Sequence, residues 1–285
     1  MQNNHRTIRN LVIFAIIAVG GGFLGIALDR LSPPSDPMQG LGALIWLISP
    51  LLANVLLRTF GGDGWKDFGL ALNLKAGWMW YLAAPIIVLI ASLPPMGLGT
   101  VFGAISLSGF SGQGFRVFLS LTLAGFGAAM VKNIFEEFAW RGYLAPRLDS
   151  LGVHPFVNAI LTGFIWAGWH VPYYLYFLDP SILGAHTPLS VPVFILVAFL
   201  ILPFHALAYG ELRLLSKSTW TAWLMHNFAN AISLTLLSNG FVTLARDFSG
   251  VLFSPGTEGI LHSIIMGFIG FGLYKYRMSK THPSN

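Results

Sequence analysis

The stretch VFLSLTLAGFGAAMVKNIFEEFAWRGYL, residues 117–144, decides the fold. From Val117 to Val131 it carries no charge, and about 20 predominantly apolar residues suffice to cross the hydrocarbon of a bilayer. The segment therefore reads as a membrane-spanning helix. Two adjacent acids, Glu136 and Glu137, interrupt it, and Arg141 follows one turn later. A carboxylate in hydrocarbon is costly unless it is paired or faces a polar cavity, so an intramembrane acid marks a functional site by default.

The rest of the chain agrees with a membrane solvent. Its 285 residues are 55% apolar and 9% charged, with mean hydropathy +0.69, against the usual charged fraction of about 25% in soluble domains. The expected class is an all-α, polytopic transmembrane helical bundle of about eight spans, near residues 10–29, 41–58, 77–94, 117–141, 154–176, 190–208, 219–238 and 259–276. Residues 94–116, rich in Gly, Ser and Pro, read as a loop or re-entrant piece. With the N-terminus in the cytoplasm, twelve of the sixteen Lys and Arg fall in inner segments, Arg58, Arg147 and Arg213 among them. Only Arg30, Arg116 and Arg246 fall outside. That bias places both termini in the cytoplasm. It also accounts for the basic pI as a solvated inner surface, with no call for nucleic acid. There is no cysteine, which excludes disulfides, thiolate catalysis and cysteine-ligated metals. Residues 11–28 read as a retained first helix, with no small-residue cleavage site after them. No repeat or separate soluble domain is visible, so residues 1–285 are expected to form a single membrane domain.

Polar residues at membrane depth fall into three groups: Lys132, Asn133, Glu136, Glu137 and Arg141; His170; and His226, Asn227 and Asn230. Glu137 and Arg141 are i,i+4 and can pair on one face, as can Lys132 and Glu136. Adjacent helical residues point about 100° apart, so Glu136 and Glu137 cannot enter the same spot. One is left for chemistry while the other anchors the helix. Lys132 has two readings, in the cavity beside Glu136 or on another face, and the second is the simpler. Singly, each group is ordinary interhelical hydrogen bonding. Together they are costly unless they converge in one cavity.

Carboxylate and imidazole can activate water for attack on a carbonyl, either as general base or through a divalent metal such as zinc held by Glu136, His170 and His226. His and Asn on one helix face can donate to the developing oxyanion. These are the parts of a peptide-bond hydrolase. No HExxH is present, and no aspartate lies in the interior of an expected span, Asp29 being at the very end of the first, so zincin and aspartyl-pair arrangements are absent. Gly109-Phe110-Ser111-Gly112 matches a GxSG serine-protease string but sits in a Gly/Ser-rich stretch and reads as a turn.

Glu136-Glu137-Phe138-Ala139-Trp140-Arg141 resembles the EExxxR motif of the CPBP (Abi) intramembrane proteases, relatives of the CAAX prenyl endopeptidases. His170 resembles the histidine of the FxxxH motif, with Trp166 in place of Phe, and His226 to Asn230 resembles HxxxN. The three occur in the family's order within a core of about residues 117–238. The resemblance implies that Glu136 acts with His170 on the attacking water, that His226 and Asn230 stabilise the oxyanion, and that Glu137 and Arg141 orient the site. A glutamate mechanism and a metal-dependent one are both compatible with these ligands.

The expected function is therefore an intramembrane endopeptidase of CAAX-protease type, acting on a peptide or protein at the membrane, prenylated or not. The expected location is a prokaryotic plasma membrane, with the site open to the cytoplasmic side. The alternatives are a proton-coupled transporter or channel and a non-cleaving regulator on the same fold. Straight helices would set His170 deeper than Glu136, which an extended start to the helix carrying His170 would correct. His205 is a further candidate for the cavity. His5, His154, His186, His262 and His282 read as interfacial or loop residues. Trp78, Trp80, Tyr81, Tyr173, Tyr174 and Tyr176 read as an interfacial belt or as groove lining.

Overall fold

Apolar runs in a bilayer become helices because an unpaired backbone amide in hydrocarbon is too costly to leave. The computed structural model describes residues 2–281, and His282 lies outside them. The helices are α1 (Gln2–Leu31), α2 (Leu41–Thr59), α3 (Leu74–Val101), α4 (Ser108–Gln113), α5 (Phe115–Ala139), α6 (Ala145–Ser150), α7 (Pro155–Pro172), α8 (Pro180–His186), α9 (Val191–Ser216), α10 (Thr219–Ser233), α11 (Phe248–Phe253) and α12 (Ile260–Thr281). The only sheet among the described residues pairs β1 (Ile105–Ser106) antiparallel with β2 (Thr243–Leu244). Each of the eight expected spans falls on a helix. Among the described residues, five helical runs are long and apolar enough to cross a membrane: Asn4–Leu31, Leu41–Thr59, Leu74–Val101, Phe115–Ser150 and Val191–Ser216. The chain is an all-helical bundle of an integral membrane protein.

Two boundaries differ from expectation. Residues 94–101 are not loop: α3 runs through Pro94 and Pro95 to Val101, which a membrane helix tolerates where a soluble one would break. The helix carrying the acids does not end at 141. A π-helical turn, Trp140–Leu144, carries it into α6, and Leu144 and Leu148 are buried. The helical run thus extends about 20 Å past Glu137 at 1.5 Å per residue. This brings Glu136 level with Trp166, toward the end of α7, and removes the expected mismatch in depth.

Small residues set the packing, as expected where lipid removes the hydrophobic drive between helices. Gly25 of α1 lies against Gly42 of α2 so closely that a Cβ on Gly25 would stand 2.3 Å from the Gly42 carbonyl oxygen. α2 is tied to α7 by a reciprocal tryptophan pair. Trp46 Nε1 donates to Trp169 O at 2.8 Å, Trp169 Nε1 donates to Trp46 O at 3.0 Å, and the rings stack at 4.2 Å. α9 packs against α7 and α12, and α10 against α5.

At one end of the bundle the connection after α2 is clasped to the ends of α6 and α9. Asp67 receives Arg58 at 2.8 Å and Arg147, and its carbonyl receives Arg213. Tyr143 and Asn10 both donate to Asp63 Oδ2, at 2.6 and 3.1 Å. Arg58, expected on a solvated basic surface, is 2% exposed.

Candidate active site

Three π-helical segments occur among the described residues: Trp140–Leu144, Tyr173–Phe177 and Leu234–Ser238. Each begins three or four residues after one of the polar groups: Glu136 and Glu137, His170, and Asn230. π-Turns concentrate at functional sites because the extra residue re-aims side chains and frees backbone groups.

Glu137 sits at the centre of a fully buried charge cluster. Its Oε1 accepts Arg141 Nη1 at 3.0 Å and His226 Nδ1 at 2.8 Å. Arg141 is also held between aromatic faces, 4.4 Å from the Trp166 ring centre and 4.7 Å from Tyr209, a favourable setting for a desolvated cation. The expected Glu137–Arg141 pair is present and, beyond expectation, carries His226.

Glu136 is 1% exposed. Its Oε1 meets Lys132 Nζ, and its Oε2 accepts Trp166 Nε1 at 2.9 Å. This corrects the simpler reading of Lys132 as facing elsewhere. The aliphatic stem is long enough to fold one turn along the helix onto the acid. Trp166 is also more than an aromatic filler, since phenylalanine could not make its hydrogen bond.

His170 Nδ1 lies 2.9 Å from Trp166 O. A carbonyl only accepts, so Nδ1 carries the hydrogen and Nε2 is left with its lone pair. The Tyr174 ring stacks on His170 at 5.4 Å and 13°. Asn230 starts an amide relay: its Nδ2 donates to Asn133 Oδ1 (3.0 Å), Asn133 Nδ2 to Asn227 Oδ1 (3.0 Å), and Asn227 Nδ2 to Phe126 O (2.9 Å). Each amide is oriented by the next, and the second N–H of Asn230 remains for a ligand.

Lys132, Trp166, His170, His226 and Asn230 all line one cavity of about 330 Å³, with Glu136 directly behind Trp166. Its middle is apolar, formed by residues such as Leu178, Ile182, Phe194 and Leu202, and its far end carries His186 and Glu258. Sequence reasoning placed His186 and His262 at interfaces or in loops and passed over Glu258. In the structure His186 Nδ1 faces Glu258 Oε2 at 3.4 Å, and His262 is buried against His205 with ring centres 5.5 Å apart. His205 is a cavity residue, and Tyr173 and Tyr174 are lining rather than belt. No sequence signal marked Glu258, because it lies in a short connection outside any apolar run. Ser111 of the GxSG string is exposed on α4, a short helix rather than a turn, and takes no part in the cavity.

The cavity walls are the middle of α5, the end of α7, α8, the start of α9 and the end of α10. The Arg58–Asp67–Arg147 cluster lies at the opposite end. On the charge-based orientation the cavity therefore extends into the outer half of the bundle, so its lining does not describe the expected opening to the cytoplasmic side.

Among the described residues, no three His, Asp or Glu side chains gather to hold a metal ion. Glu136, held by Lys132 and Trp166, is not gathered with His170 and His226 into such a set.

Comparison with known proteins adds an independent observation. Residues 117–232 match the family model described as type II CAAX prenyl endopeptidase, Rce1-like. No curated protein matches the chain. The matched residues contain all three polar groups around the cavity. Residues 117–232 thus carry an Rce1-like domain, that of the CPBP/CAAX protease family, whose members act as proteases on peptide substrates at membranes.

Proposed function

We propose that this protein is an intramembrane endopeptidase that hydrolyses a peptide bond with a water activated by Glu136 and His170. The observation that carries the reading is the convergence of Lys132, Trp166, His170, His226 and Asn230 on one cavity, with Glu136 immediately behind.

The chain's own groups divide the work. His170 Nε2, its lone pair directed away from the Trp166 carbonyl, holds the attacking water. Glu136 takes the proton as the water oxygen bonds to the carbonyl carbon, and returns it to the leaving amine as the C–N bond breaks. The oxyanion is met by the free N–H of Asn230 and by His226 Nε2. A hydrogen on Nε2 while Nδ1 donates to Glu137 requires the doubly protonated ring, and Glu137 is the carboxylate placed to balance it. Arg141 holds Glu137 in turn. That Glu136, His170 and His226 do not gather as a three-ligand set among the described residues supports this metal-free reading. The apolar middle of the cavity suits a hydrophobic peptide segment or a lipid-modified one.

The test compares purified wild type with Glu136→Gln and His226→Ala on prenylated and unprenylated peptides. Cleavage by wild type that is lost in both variants supports the assignment, and the peptide panel shows whether the lipid is required. Cleavage that survives in both variants removes Glu136 and His226 from the mechanism.

A further inference from the structure

The π-turn after the glutamate pair needs outside support. In it, Ala145 N–H bonds Trp140 O, five residues back. In a regular α-helix residue 146 would donate to the Gly142 carbonyl, but residue 146 is proline and has no N–H. A buried carbonyl without a partner is costly, the more so in a membrane.

Two side chains of α2 answer this need. Asn54 and Arg58 lie one turn apart on one face of that helix, 0% and 2% exposed. Asn54 Nδ2 donates to Phe138 O at 2.7 Å, and Arg58 Nη2 donates to Gly142 O at 2.5 Å. The accepting carbonyls are themselves one turn apart and bracket Ala139 to Arg141. Arg58 is in turn fixed by Gly64 O at 2.5 Å and by Asp67 at 2.8 Å. A chain of contacts thus runs from α2 through the backbone at 138 and 142 to Arg141, Glu137 and His226.

We propose that Asn54 and Arg58, both outside the matched residues 117–232, are positioning residues that hold the π-turn and thereby set the Glu137–Arg141–His226 cluster. The inference rests on the endopeptidase reading for its catalytic consequence only; the bracing itself is independent of that reading. Neither side chain touches substrate. Asn54→Leu removes the donor while keeping a similar volume that a bilayer accepts. Arg58→Lys keeps the charge beside Asp67 but cannot fork across Gly142 O, Gly64 O and Asp67 at once.

Two readouts are taken on full-length protein. The first is backbone hydrogen exchange over residues 138–146, with α12 as internal reference. Exchange should rise in this segment in both variants and stay unchanged in α12. The second is steady-state cleavage. A displacement of about 1 Å in a catalytic group costs on the order of 100-fold, so kcat should fall by about 10- to 100-fold, with KM within about twofold of wild type. A merely structural role would lower the yield of folded protein and leave kcat per folded molecule unchanged. Exchange that is the same as wild type, or kcat preserved in both variants while Glu136→Gln is inactive, would overturn the proposal. A Glu136→Gln protein as active as wild type would instead sink the endopeptidase reading, and the exchange data would still decide whether α2 braces the turn.

Discussion

Replacing Arg141 by Met should cost the protein far more stability than replacing Arg141 and Glu137 together. Arg141 Nη1 and Glu137 Oε1 are 3.0 Å apart and neither side chain is exposed. Coulomb's law with an effective dielectric constant of 20 gives an attraction of about 5–6 kcal/mol at that distance, before the desolvation of both groups is counted. Much of it offsets that desolvation, which is why removing a whole buried pair is often nearly neutral, whereas removing one member costs about 3–5 kcal/mol. Arg141→Met leaves the buried Glu137 with only the His226 ring beside it, and Trp166 and Tyr209 without their cation. The double variant Glu137→Gln/Arg141→Met removes both members of the pair at once and leaves His226 facing a neutral amide. Reversible unfolding of single and double variants in mixed detergent micelles, followed by tryptophan fluorescence, closes a double-mutant cycle. We expect Arg141→Met to lose about 3–5 kcal/mol, and the double variant to recover most of it. The double variant should still be inactive, because His226 Nδ1 has lost its carboxylate. Additive losses, with the double variant as unstable as the sum of the singles, would refute the view that this pair holds itself together.

Other expectations follow from the same geometry. Extensive dialysis against a strong chelator should leave cleavage unchanged, since no three-ligand cluster is present among the described residues; activity lost on chelation and restored by a divalent ion would refute this. Because the chain lacks cysteine, Thr257→Cys at the cavity's far end and Lys217→Cys at the basic end can be labelled one at a time in sealed vesicles of known orientation. An impermeant thiol reagent should reach Thr257→Cys from outside and Lys217→Cys only from within; the reverse pattern would invert the topology. Gly25→Val should separate α1 from α2, since its Cβ would meet the Gly42 carbonyl at 2.3 Å, with a loss of about 1–3 kcal/mol typical of overpacking. Unchanged unfolding would show that this contact is not tight.

What could be read from sequence was whatever leaves a mark against an apolar background. Glu136, Glu137, His170, His226 and Asn230 stand out because each is costly in a membrane, and their joint cost required them to meet. The partners that tune them left no such mark. Lys132 read more simply as lying on another face against a neighbouring helix, and only the rotamer along α5 lays it on Glu136. Arg58 looked like one more basic residue at a cytoplasmic edge, yet it is buried against the Gly142 carbonyl, because what it answers is a missing backbone donor at Pro146. Asn54 lies some 80 positions before the carbonyl it serves, as its bond to Phe138 O shows. The continuation to Ser150 was hidden by Pro146, which in a soluble chain would end a helix but here sits at the start of α6.

The π-turns also constrain how the chain can vary in length. Each turn holds one residue more than an α-helical turn would need. Deleting a single residue from Trp140–Leu144 would let the run close up as α-helix with the segments on either side still nearly in phase, whereas deleting one from a regular α-helical turn rotates everything before it against everything after by about 100°. Spacing between the three polar groups is therefore free to change in the loops between helices, can lose one residue at a π-turn, and is locked in the regular α-helical turns. The three turns act as phase setters: they let one face of a helix serve the cavity and a different face, a few residues on, serve the packing of the bundle.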